Sequence, residues 1–185
     1  NAGAAGSTAD YEVDTLAPSI SSFTMDDTAL KVGDTAAVTL VFSEAVTGFA
    51  NEDITIGSGT LTTMTSGNSI TWTGTYTPTV NTEATGQSLD IAVTYTDTAG
   101  NSGPTGSTAD YAVDTLAPTL STPAMSHNAG SGLDVNNGDT VTLTFTSSSD
   151  VTTAPTCAFE DGLDAAMDAG TSTATGNAGG WTCTV

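Results

Sequence analysis

The chain has 185 residues and a formal net charge of −20, with 21 acidic residues against a single basic one, Lys31. That balance excludes ordinary nucleic-acid binding, which needs Lys and Arg clustered on phosphate, and argues against adsorption to anionic membrane surfaces. Charged residues are nevertheless only 12% and hydrophobic residues 37%, so the composition supports small packed cores and not a disordered acidic tail.

Residues 6–25 (GSTADYEVDTLAPSISSFTM) recur at 106–125 (GSTADYAVDTLAPTLSTPAM), with fourteen of twenty positions identical. A fixed period signals equivalent modules, and a period of one hundred suits a β-sandwich of about 100 residues. Residues 1–15 match 101–115 and read as the last strand of a preceding module. Residues 16–115 read as one complete module, and 116–185 as a second, partial one.

In chain order, the complete module predicts a first strand at 19–25 and a second at 35–43, with Ala36, Val38, Leu40 and Phe42 on one face. A third holds Ile54 and Ile56, and a short fourth lies near 60–65. The fifth, 69–77, turns Ile70, Trp72 and Tyr76 inward as core fillers. The sixth, 88–96, alternates Leu89, Ile91, Val93 and Tyr95 against Asp90, Ala92, Thr94 and Thr96, and the seventh, 107–113, carries Tyr111 and Val113. Period-two alternation gives one packed face and one wet face, and threonine suits the wet face because its branched Cβ fits a pleated strand. No segment has sustained helical periodicity. The expected fold class is all-β: immunoglobulin-like β-sandwiches in tandem, joined end to end.

The partial module repeats the plan. NNGDTVTLTF at 136–145 echoes KVGDTAAVTL at 31–40, and GNAGGWTCTV at 176–185 echoes GNSITWTGTY at 67–76, which puts Cys183 where Gly74 stands. Cys157 falls on the predicted third strand. The two cysteines pair if the compartment is oxidising and stay as thiols otherwise; a bridge would join neighbouring strands or the two sheets. His127, in SHNAGSG, reads as an exposed loop residue.

The motifs VDTLAP (13–18 and 113–118), LVFSEAVTGFANEDITI (40–56), WTGTYTP (72–78) and YTDTAGN (95–101), in this order, resemble the bacterial Ig-like tandem repeats of large cell-surface adhesins of the RTX type. The resemblance covers the complete module well and the partial one loosely, because FTSSSDVTT replaces FSEAVTGF there. It implies an exported, secreted or cell-surface protein whose modules form an extender arm, with Ca²⁺ bound at module junctions as a structural cofactor.

In such a sandwich the incoming linker lies beside the loops after the second and sixth strands. Those positions hold Asp14, Glu44, Asp97 and Asn101, with Asp53 within reach from the third strand. At the other end Asp26, Asp27 and Asp34 cluster on the first connecting loop and could face the next linker, Asp114; Asp150 stands near the place of Glu44 in the partial module. Ca²⁺ takes six to eight oxygen ligands. The alternative for each residue is an Asp or Asn that merely makes a turn.

Nothing in the sequence supports catalysis. Zinc-ligand spacings, phosphate loops and nucleophile elbows are missing, and Glu52 and Asp53, adjacent on an expected strand, would point to opposite faces. No apolar run approaches the roughly 20 residues of a membrane span, and a chain that opens inside a repeat is not expected to carry a signal peptide. The leading expectation is a non-catalytic extender module whose partners are neighbouring modules of the same long chain. The alternative is a filament, surface layer or virion decoration in which other copies are the partners, with strand complementation as a route to assembly. An accessory module of a secreted polysaccharide enzyme is the third.

Overall fold

A computed structural model describes residues 6, 9–128, 139–148, 151–160, 166–177 and 179–185. They fall into two compact units, Asn1–Leu116 and Ala117–Val185.

The described part of the first unit contains β1 (Ile20–Met25), β2 (Ala29–Lys31), β3 (Ala36–Phe42), β4 (Val46–Thr47), β5 (Ile54–Ile56), β6 (Thr60–Leu61), β7 (Thr71–Thr77), β8 (Glu83–Gln87), β9 (Leu89–Ile91), β10 (Thr96–Asp97), β11 (Gly106–Ser107) and β12 (Tyr111–Asp114). One layer is the antiparallel sheet β1-β3-β7-β6. The other consists of β11-β9-β5 and β2-β12-β8, in which β12 runs parallel to β2 and antiparallel to β8. β4 and β10 pair at one end. The architecture is an immunoglobulin-like β-sandwich.

Strand β3 shows why these residues fold this way. Ala36, Val38, Leu40 and Phe42 alternate with Ala37, Thr39 and Val41, and the first set is fully buried, as a period of two dictates for a half-buried strand. Phe42 meets Tyr95 at 4.8 Å and Phe49 at 5.8 Å between ring centroids, and Tyr76 meets Tyr111 at 5.2 Å. Each large side chain buried in this way contributes about 1.5–3 kcal/mol.

The expected sixth strand, 88–96, does not run through. β9 stops at Ile91, the chain bends at Val93, which is 55% exposed, and Tyr95 returns to the core. The ladder runs out of partner. β5 pairs with β9 only as far as Ile91, and the last bond from this side is Ala92 N–H to the Asp53 carbonyl at 2.8 Å. Glu52 and Asp53 also differ from expectation, because they lie in a 3₁₀ turn, Asn51–Asp53, and not on a strand.

Residues 9–19 form no strand. Tyr11 and Val13 are 82% and 74% exposed, whereas their counterparts in the repeat, Tyr111 and Val113, are 2% and 1% exposed. β12 is flanked on both sides by strands and residues 9–19 by none.

The second unit contains β13 (Ala124–His127), β14 (Val141–Phe145), β15 (Thr156–Glu160), β16 (Ala166–Thr173), β17 (Thr175–Asn177) and β18 (Gly180–Thr184). Its sheet β13-β14-β18-β17 has the order and register of β1-β3-β7-β6: Phe145 faces Trp181 and Leu143 faces Cys183, as Leu40 faces Trp72 and Val38 faces Gly74. β15 pairs with β16 in a separate sheet. A disulfide joins Cys157 on β15 to Cys183 on β18, with Cα atoms 6.4 Å apart, so it ties the two sheets. His127 is the last residue of β13, opposite Val141 and half-buried, and not an exposed loop residue.

Candidate metal centre

The linker, the turn after β3 and the turn after β10 meet at one end of the first unit. Carboxylate oxygens of Asp14, Glu44 and Asp97 lie within 4.8 Å of one another; Asp14 is exposed, Glu44 half-buried and Asp97 buried. Among the described residues this is the one group of three or more acidic, histidine or cysteine side chains with that proximity.

Local bonding explains the convergence. The Leu16 N–H donates to Asp14 Oδ1 at 3.0 Å, which folds the linker into an Asx turn. Ser19 N–H donates to Ser43 Oγ at 2.9 Å, and Ser43 N–H returns to the Ser19 carbonyl at 2.8 Å, so the start of β1 is clasped to the residue just before Glu44. The DTAGN turn closes by Asp97 N–H to the Asn101 carbonyl at 3.0 Å, with Gly100 at φ +96°, a conformation that favours glycine.

Asn101 ties the turn to the linker. Its backbone N–H donates to Asp97 Oδ1 at 2.9 Å and its Nδ2 to Asp97 Oδ2 at 2.7 Å. The same Nδ2 reaches the carbonyls of Asp14 and Leu16 at 3.2 and 3.3 Å. The amide group therefore stands where one carboxylate oxygen and two carbonyl oxygens converge. The Asn101 side chain, donating to the ionised carboxylate, is the main cause that lowers the Asp97 pKa; burial opposes it.

The donor set fits a hard divalent cation. Every ligand atom is oxygen, and no His or Cys belongs to the cluster, which disfavours a zinc-type site. Opposed ligands of a Ca²⁺ ion, bound at 2.3–2.6 Å, stand about 4.6–5.2 Å apart, a span that accommodates the 4.8 Å limit. Three like charges this close repel unless something neutralises them.

The other sequence candidates lie elsewhere. Asp53 is outside the cluster: Oδ2 accepts the Ala50 N–H at 2.9 Å and Oδ1 accepts the Thr94 hydroxyl, so the carboxylate serves its own turn. Asp26 Oδ1 accepts Ala37 N–H at 2.6 Å, Asp27 Oδ1 accepts Ala29 N–H at 2.9 Å and Asp34 Oδ2 accepts Lys31 N–H at 3.2 Å. Asp27 and Asp34 make turns, Asp26 extends the β1–β3 pairing, and the three form no group with Asp114. Asp114 repeats the Asx turn of Asp14, accepting Leu116 N–H at 3.2 Å. Asp150 lies outside the described residues. Sequence reasoning missed the Ser19–Ser43 clasp and the role of the linker carbonyls. The clasp recurs as Thr119 N–H to Ser148 Oγ at 3.2 Å and Ser148 N–H to Thr119 O at 2.9 Å, so aligning the two modules could have revealed it.

Residues 14–113 match the family model described as a bacterial Ig-like domain. No curated protein and no solved structure matches the chain.

Proposed function

The chain belongs to the bacterial Ig-like domain family, and from that premise we propose that it is a non-catalytic extender module of an exported bacterial surface adhesin, with its entry linker stiffened by Ca²⁺. The carrying observation is that one linker carboxylate, Asp14, shares a 4.8 Å cluster with Glu44 and Asp97 from two different turns. A cation held there neutralises the mutual repulsion and removes freedom from a linker already restricted by Pro18.

Topology supports the same reading. Asp14 lies beside the turn that ends β3, while β12 leaves the sandwich at Asp114, beside Lys31 and the turn that begins β3. Entry and exit are thus separated by the length of a seven-residue strand, about 20 Å. A module built this way transmits tension along its strands and holds distance. Family members of this kind are structural modules of surface proteins.

Calorimetric titration of the 185-residue chain with CaCl₂, against NaCl at equal ionic strength, tests the cation. Saturable heat that Asp14→Asn and Asp97→Asn both weaken supports the reading; heat indifferent to both substitutions removes Ca²⁺ from it.

A second reading, assembly of copies by strand addition, is favoured by the exposure of Tyr11 and Val13 when Tyr111 and Val113 are buried. Sedimentation of the chain with and without residues 1–15 separates the two, since an extender stays monomeric in both forms.

A further inference from the structure

We propose that the second unit is redox-conditional: the Cys157–Cys183 bond decides whether β14 and β18 stay folded, while the first unit folds whatever the thiol state.

The contrast between the two units carries the proposal. They share one sheet in order and register, so the equivalent place can be compared directly. In the first unit Gly74 occupies the place of Cys183. A Cβ there would come within 2.6 Å of the Met64 sulfur, and Met64 itself is buried. The first unit therefore closes that spot by packing a methionine over a glycine. The second unit closes it with a covalent bond to the facing sheet.

The rest of the second unit's described core does not compensate. That core places Val141, Phe145, Phe159, Ala174 and Trp181 around the two half-cystines. Among the described residues the facing sheet is the antiparallel pair β15–β16. Phe42, which anchors the aromatic cluster of the first unit, is replaced at the same register by Ser147; Leu120 bridges to Ser147 as Ile20 faces Phe42. Among the described residues all stacked or edge-on ring pairs belong to the first unit. Where a core loses such an anchor, a cross-link takes a larger share of the folding free energy. Closing a loop with a sequence separation of 26 raises the folded-to-unfolded ratio by roughly 30- to 1000-fold.

The chemistry is thiol–disulfide exchange. Two thiols lose two protons and two electrons to an oxidising disulfide, which is itself reduced to a dithiol. A reducing dithiol runs the step backwards, breaking the Cys157–Cys183 bond and becoming a cyclic disulfide. Reducing compartments hold the unit open, and it closes where an oxidising disulfide is available. This does not depend on any cation at the linker.

The test is hydrogen exchange on the full 185-residue chain, oxidised and after dithiothreitol, with iodoacetamide labelling to verify two free thiols. The expected result is that residues 141–145 and 180–184 lose protection by roughly 30- to 1000-fold, while 36–42 and 71–77 keep theirs. A Cys157→Ala/Cys183→Ala chain without reductant should behave as the reduced protein does. Unchanged protection at 141–145 and 180–184 after complete reduction overturns the proposal. So does equal loss in both units, which would make the effect general.

Discussion

The Tyr95 ring lies directly on the backbone of Gly103, so that a Cβ built on Gly103 would overlap the ring carbons. Gly103 N–H also donates to the Tyr95 carbonyl at 3.1 Å, and the Tyr95 hydroxyl donates to the Pro104 carbonyl at 2.7 Å. These contacts bracket the turn that carries Asp97 and Asn101, and they connect the aromatic core to the candidate metal centre.

Gly103→Ala should therefore destabilise the first unit by about 1–3 kcal/mol, the usual cost of overpacking against a buried group that cannot step aside. Thermal unfolding followed by circular dichroism should show a lower melting temperature. A variant that melts with the parent would mean that the ring shifts freely.

Acid should weaken the first unit through Asp97. Its folded-state pKa is lowered, first by the Asn101 side chain, so the unfolded chain binds the proton more readily. The contribution is therefore complete above the ordinary carboxylate value of about 3.9 and is lost as pH falls through the lower, folded value. Asp97→Asn should flatten that acid limb in a pH-dependent melting series. An acid limb identical to that of the parent would assign the effect to other carboxylates.

Asn101→Asp should make linker docking dependent on added cation. The substitution removes the NH₂ that now satisfies Asp97 Oδ2 and the carbonyls of Asp14 and Leu16, and it adds a fourth negative charge. Hydrogen exchange at residues 14–19 should rise in chelator and recover on adding CaCl₂. If it stays slow in chelator, the Ser19–Ser43 clasp alone holds the linker.

Ser147→Ala should cost the second unit about 1–3 kcal/mol. The Trp181 indole N–H donates to Ser147 Oγ at 2.7 Å, and removing one partner strands a buried donor. Trp72, whose indole N–H lacks a partner in the first unit, serves as the internal reference: its fluorescence transition should not move. Coincident shifts in both tryptophan transitions would count against this assignment.

Strand β3 was readable because alternation is a local property: Ala36, Val38, Leu40 and Phe42 announce their shared face by spacing alone. Asp14, Glu44, Asp97 and Asn101 could be named together because turns sit at the ends of strands, and a sandwich brings alternate ends into one place. Val93 continues the same alternation and is exposed all the same, because the partner strand has run out by that point. Asp53 caps its own turn, and a carboxylate near a candidate site looks the same in sequence whether it does this or faces a cation.

The repeat shows where local information ends. ADYEVDT at 9–15 and ADYAVDT at 109–115 differ at one position, yet Tyr11 is exposed and Tyr111 buried. Composition, period and alternation determined an all-β chain with acidic turns. Only the tertiary structure decided which copy of the segment is a strand, which carboxylates meet, and which sheets the cysteines tie. A strand and a ligand cluster are both made by neighbours distant in sequence, and their free energy exists only once those neighbours are in place.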